Sequence, residues 1–126
     1  MAHYIDGFVF PIPRDCITEY QQLAKAVAAI WKEHGALEYC EFVGDDMNLA
    51  GTRSFTDAIE ATEDETIVFG WVAFESREAR DLANEKVAAD PRMPELVNSF
   101  DSGFDASRMA YGGFRSLVQT LSLIHI

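Results

Sequence analysis

A stretch of nine residues without any charge, residues 66–74, constrains the fold of this chain more than any other segment. It reads TIVFGWVAF, and both of its alternating sets of side chains are apolar or small. A strand with one face in water alternates apolar with polar residues, because successive side chains point to opposite faces. A strand of this composition is instead covered on both faces. The segment therefore predicts a central strand in a sheet that is packed from both sides.

The length and the charge of the chain limit its class of function. A chain of 126 residues suits one domain, which we place at residues 1–120, with a core that needs no disulfides. The formal net charge of −11 repels phosphate backbones and anionic lipid, so we expect neither nucleic acid nor membrane as a partner. Cys16 and Cys40 are too few for a disulfide framework, and the start is not signal-like, which predicts a cytoplasmic protein. No apolar run approaches transmembrane length.

Hydrophobic periodicity predicts strands and helices in the order β-α-β-β-α-β. The strands are expected at residues 3–10, 37–44, 65–75 and 108–118, and the helices at residues 16–34 and 76–89. Pro11 and Pro13 are expected to end the first strand, since neither can donate to a ladder. Asp15 is the expected N-cap of the first helix, and Gly35 is expected to close it in a left-handed conformation.

The remaining segments give weaker signals. Ser76 is expected to cap the second helix, with Ala79, Leu82, Ala83 and Val87 facing inward. Residues 47–64 predict a loop with a short strand or helical turn, and residues 95–107 predict irregular chain or irregular chain with one helical turn. The pair at residues 112–113, two glycines inside a strand, predicts a bulge or a close backbone approach.

This order of elements is the split βαβ arrangement, an α+β ferredoxin-like fold. It places both helices on one face of an antiparallel sheet whose spatial order is fourth, first, third, second. The other face is then bare, which the central strand does not permit. A second copy of the same sheet, related by a two-fold axis, is the simplest cover. We therefore predict a homodimer.

The last six residues, LSLIHI at residues 121–126, are predicted to be non-native. Back-translated as CTG TCT CTT ATA CAC ATC, they match the transposon end sequence used in a common preparation of DNA libraries. Such additions are excluded from fold reasoning, so His125 is not a ligand candidate. The alternative is a natural apolar tail, and sequencing the intact locus distinguishes the two.

Three separated motifs carry a resemblance to a known family. They are YIDGFV at residues 4–9, WKEHGALEY at residues 31–39 and RMAYGGF at residues 108–114. The chain resembles the YbaA-like bacterial proteins, a small family of unknown function, from about residue 4 to residue 118. That family is part of the dimeric α/β-barrel superfamily, so the resemblance implies the same fold and a homodimer. It implies no established reaction.

The strands predict a candidate ligand site between the two sheets of the dimer. We expect the helices to cover an aliphatic face formed by Ile5, Val9, Cys40, Phe42, Val68 and Val72. The opposite face then carries Tyr4, Asp6, Phe8, Tyr39, Glu41, Phe69, Trp71, Met109 and Tyr111. An aromatic pocket with a few polar groups is the usual pattern of a ligand site.

Asp6 and Glu41 are the candidate catalytic residues of that site, because a buried carboxyl has a raised pKa and can act as a general base. Arg108 completes the candidate ligand-binding residues. The alternative is that the aromatic side chains form an interface core. In that case backbone amides or Arg108 satisfy the two carboxylates.

His34, near the end of the first helix, is the third catalytic candidate. The structural alternative is that the helix dipole stabilises its protonated form. His3 is its only plausible histidine partner and no i, i+4 pair exists, so we expect no metal. Neither a glycine-rich phosphate loop nor a Gly-x-Ser-x-Gly elbow is present, so we expect no cofactor.

Three functions stay open on this evidence. The first is binding of a small molecule in the inter-sheet cavity. The second, which the resemblance to the superfamily implies as an analogy of fold, is a cofactor-free monooxygenase-like enzyme, or another small-molecule enzyme, that uses the same cavity. The third is a non-catalytic interaction module. A cavity of about a few hundred Å³ favours the first two, and a packed barrel with its polar groups paired favours the third.

Overall fold

The computed structural model describes residues 2–120. The strands are β1 (Tyr4–Pro13), β2 (Glu38–Val43), β3 (Glu65–Phe74) and β4 (Ala110–Arg115). The helices are α1 (Ile17–Glu33), α2 (Phe55–Ile59), α3 (Arg77–Ala89) and α4 (Arg92–Ser99), with 3₁₀ turns at Arg14–Cys16 and Ala106–Arg108. The tail that we predict to be non-native, residues 121–126, lies outside the described residues. None of these helices is long and apolar enough to cross a membrane.

The four strands form one antiparallel sheet in the order β2-β3-β1-β4. This confirms the predicted spatial order and the α+β ferredoxin-like fold. The uncharged strand β3 lies inside the sheet, as predicted, between β2 and β1. The two long helices pack on one face, where α1 supplies Tyr20 and Leu23 to the core and α3 supplies Ala83 and Val87.

The register of the strands decides which side chains meet the helices. Asp6 pairs with Val72, and Val72 pairs with Tyr39, so these three lie in one row. The next row contains Gly7 and Trp71, which point to the other face. The helix-facing set includes Tyr4, Asp6, Phe8, Phe10, Tyr39, Glu41, Val68, Val72 and Tyr111. The set on the open face includes Ile5, Val9, Cys40, Phe42, Phe69, Trp71 and Phe114.

The predicted assignment of the two faces was wrong for most of these residues. The residues that were predicted on the open face but lie under the helices are Tyr4, Asp6, Phe8, Tyr39, Glu41, Met109 and Tyr111. The residues that were predicted under the helices but lie on the open face are Ile5, Val9, Cys40 and Phe42. The face that carries most of the aromatic side chains lies under the helices, and its rings pack there. Phe10 is edge-on to Tyr20 of α1 at a centroid distance of 5.4 Å and to Phe104, in the chain after α4, at 4.9 Å. Aromatic pairs of this geometry stabilise a core beyond their buried area.

Strand β1 continues through both prolines that we expected to end it. Pro11 pairs with Ile67, and Pro13 pairs with Glu65. On its other side β1 pairs with β4 no further than Val9. Beyond that point β1 is an edge strand, where a residue without an N–H is tolerated.

Two of the predicted helix ends are confirmed and one is wrong. Ser76 Oγ accepts a hydrogen bond from the Ala79 backbone N–H at 3.1 Å, which caps α3. Gly35, just after α1, has a φ of +115°. Asp15 does not cap α1, since it lies inside the preceding 3₁₀ turn and Cys16 occupies the N-cap position without a side-chain bond.

The region after α3 is more helical than predicted. Most of residues 95–107 was expected to be irregular, but α4 begins at Arg92 and runs to Ser99. Pro94 lies in its first turn, where the backbone N–H groups have no partner within the helix and a proline costs no hydrogen bond. Leu82 of α3, predicted to face inward, is 51% exposed.

Gly70 tests the close packing of β3 under the helices. A Cβ atom there would come within 2.6 Å of Phe8 Cζ and 2.6 Å of the Cys40 carbonyl oxygen. We expect Gly70→Ala to lower the free energy of unfolding by about 1–3 kcal/mol, the usual cost of overpacking, in urea denaturation at fixed protein concentration. Gly7→Ala is the control, because a Cβ there meets Phe114 Cε1 at 3.4 Å, an ordinary contact. Equal losses of unfolding free energy in Gly70→Ala and Gly7→Ala would contradict this packing.

Candidate ligand cavity

A cavity of ≈ 410 Å³ lies between the helix-facing side of the sheet and helices α1, α3 and α4. Most of its wall is apolar, including Phe8, Phe10, Leu23, Val27, Val72 and Met109. Its polar lining residues are Asp6, Tyr20, Tyr39, Asn84 and Tyr111. The location differs from the prediction, because the cavity lies within one protomer instead of between two sheets. The reversed assignment of the faces explains this difference.

The first polar cluster is built around Asp6, whose side chain is 6% exposed. Its Oδ1 accepts hydrogen bonds from Arg80 Nη1 at 2.6 Å and from Tyr111 Oη at 2.8 Å. Arg80 is held in turn by Asp81, which accepts from its Nε at 2.9 Å. Tyr4 accepts from Arg80 Nη2 at 3.2 Å, and its ring centroid lies 4.9 Å from the guanidinium carbon. A carboxylate this buried depends on such partners, since an unpaired charge in an apolar interior is very costly.

The close backbone approach predicted at the glycine pair of β4 is confirmed at Gly113. This residue pairs with Asp6 in the sheet. A Cβ atom at Gly113 would overlap the Tyr4 hydroxyl and lie 3.1 Å from Arg80 Nη1. Both glycines of the pair keep the regular register, so the close approach occurs without a bulge. Because Gly113 has no side chain, the Arg80 guanidinium has room to approach the sheet at this position.

The second polar cluster is formed by Tyr20, Glu41 and Tyr39. Glu41 Oε1 accepts a hydrogen bond from Tyr20 Oη, and Glu41 Oε2 accepts one from Tyr39 Oη at 2.7 Å. All three residues line a second cavity, of ≈ 350 Å³, between α1 and β2. Since Tyr20 and Tyr39 line both spaces, this cluster stands at the boundary between them.

Burial shifts the pKa values of both clusters. Desolvation raises the pKa of Glu41, and the hydrogen bonds from the two tyrosines partly oppose that rise. Desolvation, followed by the charge of Glu41, raises the pKa values of Tyr20 and Tyr39. Desolvation and the hydrogen bond to Asp6 raise the pKa of Tyr111 to about 12. The three phenols therefore stay protonated and serve as hydrogen-bond donors at neutral pH.

The structure brings only part of the predicted site together. Among the predicted candidates, Asp6, Phe8, Tyr39 and Tyr111 line the cavity. Glu41 bonds to two tyrosines that line it, and Tyr4 bonds to Arg80, the partner of Asp6. Phe69 and Trp71 lie on the open face, where Trp71 stacks on Phe42 at 5.4 Å. Arg108 pairs with Glu65 instead of with Asp6 or Glu41, which corrects the predicted alternative for those carboxylates.

His34 lies outside the cavity in a cluster of charged groups. Its Nε2 is 2.8 Å from Asp90 Oδ2, and Arg92 bonds to both oxygens of that carboxylate and to Glu33. Glu33, His34 and Asp90 have ligand atoms within 4.8 Å of one another, a spacing that could hold a metal ion. The Arg92 guanidinium already supplies the positive charge there. Hydrogen bonds from Arg92 and then from His34 hold the pKa of Asp90 far below its usual range. This geometry favours a structural role for His34.

Sequence reasoning missed Arg80, the only cation of the first cluster. An arginine on an amphipathic helix is usually taken as part of the solvent face. The spacing contained a signal, because Ala83, Asn84 and Val87 follow Arg80 at i+3, i+4 and i+7. That spacing places Arg80 on the same helix face as buried Ala83 and Val87. Tyr20 lies on the apolar side of α1, and its sequence position does not reveal its bond to Glu41.

The sheet with its helices places this protein in the ferredoxin-like α+β class, and solved structures of that class superpose on it. One is the monooxygenase ActVA-Orf6 of Streptomyces coelicolor in complex with Nanaomycin D, with a TM-score of 0.56, 17% identity and coverage of 96% of this chain and 93% of that one. Another is a dimeric ferredoxin-like protein of unknown function from Jannaschia sp. CCS1, with a TM-score of 0.53, 15% identity and coverage of 90% and 99%. At these identities the similarity shows the fold alone.

Sequence comparison identifies the family. The chain belongs to the DUF1428 family, whose members are proteins of unknown function and whose sequence model matches residues 3–106. It is 41% identical over 115 residues to the uncharacterized protein YbaA of Escherichia coli strain K12, which covers 91% of this chain and 97% of that protein. The resemblance read from the three sequence motifs is thereby confirmed.

The pair between Arg108 and Glu65 predicts a pH-dependent contribution to stability. The two N–O distances are 2.5 and 3.0 Å, and the hydrogen bonds from Arg108 and then from the Thr62 backbone lower the pKa of Glu65 to about 2. A carboxyl with a depressed pKa in the folded state stabilises the fold above its unfolded pKa, about 4.3, and this contribution is lost as the pH falls toward the folded value. The contribution is therefore complete at neutral pH.

We expect Arg108→Met to lower the free energy of unfolding at pH 7. The difference from the wild type is expected to shrink as the pH falls from about 5 to about 2, because Glu65 becomes protonated in both proteins. Urea denaturation at several pH values measures this. Arg53→Met, which changes an exposed arginine, is the control and is expected to show no such trend. A loss of unfolding free energy in Arg108→Met that does not vary with pH would contradict the assignment of this contribution to ionised Glu65.

Proposed function

We propose that this protein binds a small, largely apolar organic molecule in the cavity between its helices and its sheet, and that it does so as a homodimer. The observation that carries the proposal is the cavity of ≈ 410 Å³. Small-molecule sites usually have volumes of about 300–1,000 Å³ and mostly apolar walls with a few polar groups that fix the orientation of the ligand. The wall described above has this composition.

The polar clusters distinguish this cavity from a packing defect. Protein interiors are close-packed, and an unfilled cavity weakens the fold. Here Asp6, Tyr20, Tyr39 and Tyr111 all line the same apolar space. Each of these groups is hydrogen-bonded to another side chain, so the wall presents polar groups in fixed positions to the apolar space, as ligand sites do. This supports ligand binding over a non-catalytic interaction module with a filled core.

An enzyme that uses the same cavity is the second candidate. The cluster of Tyr20, Glu41 and Tyr39 favours it, because the two tyrosines that bond to Glu41 line that cavity. A buried carboxyl with a raised pKa can accept and release a proton nearer to neutral pH than an ordinary one. The monooxygenase of similar fold was solved with Nanaomycin D bound, which supports the use of this fold to hold a small organic molecule. A monooxygenase-like reaction in this chain is a hypothesis that rests on that fold-level analogy.

The homodimer is supported by the open face of the sheet. Phe42 and Phe114, near opposite edges of this face, are each 57% exposed, and Phe69 and Trp71 lie between them. A continuous apolar surface of this kind marks an interface, and a two-fold axis lets one such face cover another. Helix α2 touches the face through Phe55, whose ring lies 5.7 Å from that of Phe69. The dimeric description of the Jannaschia protein supports the same assembly.

The proposal also includes the cytoplasmic location predicted from the sequence. Cys16 and Cys40 are both free thiols. A reducing compartment keeps free thiols from forming disulfides, whereas an oxidising one favours their pairing. The free thiols support a cytoplasmic location, and fractionation of the native cells tests it directly.

The ligand site is tested by narrowing the cavity. Val97 lines the cavity and is 50% exposed, whereas Leu82 on α3 is 51% exposed and does not line it. We expect wild-type protein to be stabilised against heat by 1-naphthol, because a ligand that binds the native state raises the melting temperature. Val97→Phe is expected to reduce that shift by more than half, and Leu82→Phe to preserve it. Equal shifts in the two variants would place binding elsewhere.

The dimer is tested by placing a charge on the open face. Phe69→Lys is expected to shift the protein from dimer to monomer in sedimentation velocity at low micromolar concentration, because the lysine would be buried without a partner charge. Leu49→Lys is the control, since Leu49 lies in a turn away from the sheet and is exposed. Circular dichroism shows whether each variant keeps its secondary structure. A folded Phe69→Lys variant that remains dimeric would exclude this face as the interface.

A further inference from the structure

The two oxygens of the Asp6 carboxylate have different surroundings. Arg80 Nη1 and Tyr111 Oη both donate to Oδ1. No side-chain hydrogen bond from residues 2–120 reaches Oδ2. Within that part of the chain, every buried side-chain oxygen and nitrogen has a partner, so Oδ2 is an atom that reaches open space. The open space that Asp6 lines is the cavity of ≈ 410 Å³.

The carboxylate is held in this orientation from several sides. Arg80, which binds Oδ1, is itself fixed by Asp81 and by the hydroxyl and the ring of Tyr4. Tyr111 accepts a bond from Arg80 Nη1 at 2.8 Å and donates to Oδ1, which closes a ring of hydrogen bonds. Rotating Asp6 to exchange its oxygens would leave Oδ2 with the same two donors. One acceptor therefore always faces the cavity.

The charge of Asp6 is balanced, but its hydrogen-bonding capacity is not used fully. Arg80 supplies the compensating positive charge at 2.6 Å. The nearby wall is apolar, with Phe8, Val72 and Met109 among its members. In such surroundings an unpaired carboxylate oxygen is costly, and a hydrogen bond to it is stronger than in water. The group that this position lacks is a neutral donor and not a second cation.

We infer that the ligand is a neutral molecule with an apolar body and a hydroxyl group, for which a naphthol is a suitable probe, and that Asp6 Oδ2 accepts the hydrogen bond of that hydroxyl. The inference rests on the proposed binding function and adds the chemistry that selects the ligand. An aromatic molecule without a donor leaves Oδ2 unpaired. A site that hydrogen-bonds a ligand hydroxyl discriminates strongly against such a molecule, because the polar group of the site then has no partner. A carboxylate ligand is repelled by Asp6 and by the net charge of −11.

Isothermal titration calorimetry of the full chain at pH 7 with three probes of the same ring system tests this selectivity. The probes are 1-naphthol, which has a donor, 1-methoxynaphthalene, which has none, and 1-naphthoate, which is anionic. We expect 1-naphthol to bind at least about tenfold more tightly than 1-methoxynaphthalene, since hydrogen bonds to charged groups contribute at least that much. We expect 1-naphthoate to bind most weakly. Equal affinities for 1-naphthol and 1-methoxynaphthalene would overturn the inference.

Asp6→Asn changes the acceptor into a donor while keeping a carbonyl oxygen for Arg80 and Tyr111. We expect this variant to lose the tenfold preference for 1-naphthol and to bind 1-methoxynaphthalene at least as well as the wild type. Asp45→Asn is the matched control, because Asp45 is exposed after β2 and does not line the cavity. It removes the same charge and is expected to keep the preference. An unchanged preference in folded Asp6→Asn protein would also overturn the inference.

The outcomes separate this inference from the proposed function. If no probe binds, both are overturned. If the three probes bind with equal affinity, and Val97→Phe lowers that affinity, the cavity binds ligands but Asp6 does not select them. The comparison of probes on wild-type protein needs no variant, so it decides the question even if Asp6→Asn does not fold.

Discussion

The antiparallel register that sets Asp6 opposite Val72 and Gly7 opposite Trp71 determines which side chains meet the helices. Side chains alternate with a period of two, so a slip of one residue would exchange the two faces completely. The observed register buries Phe10 against α1 and brings Asp6 within reach of Arg80 on α3. It leaves a second apolar face uncovered. The core, the candidate ligand cavity and the proposed dimer interface are therefore consequences of one pairing.

Charge burial explains why the cavity wall has a defined geometry. Asp6 lies inside an otherwise apolar layer and is tolerated only because Arg80 and Tyr111 pair with it. Glu41 is tolerated because two tyrosine hydroxyls bond to its two oxygens. Networks of this kind hold their members rigidly, since breaking any bond leaves a buried group unpaired. The same bonds that make the carboxylates compatible with the fold also fix the directions in which they can meet a ligand.

The sequence predicted the order of the strands and the central position of β3, because these follow from periodicity and from connections between neighbouring elements. It also placed Asp6 and Glu41 on one face of the sheet, but on the side away from the helices. The choice of face could not be predicted, since both alternating sets of β3 are apolar. The partner of Asp6 could not be predicted either, because Arg80 is 74 residues away in the chain. Pro11 misled the prediction of the strand end, because only the tertiary structure reveals that β1 is an edge strand at that position.

The most direct test of a ligand cavity on the helix side of the sheet uses the methionine methyl groups as reporters. Met93 and Met109 line the cavity, whereas Met47 lies beside Gly44 after β2. In protein labelled with ¹³C at the methionine methyls, we predict that saturating 1-naphthol shifts the signals of Met93 and Met109 and gives nuclear Overhauser effects to them, but not to Met47. Binding that leaves Met93 and Met109 unchanged would contradict a ligand site between the helices and the sheet.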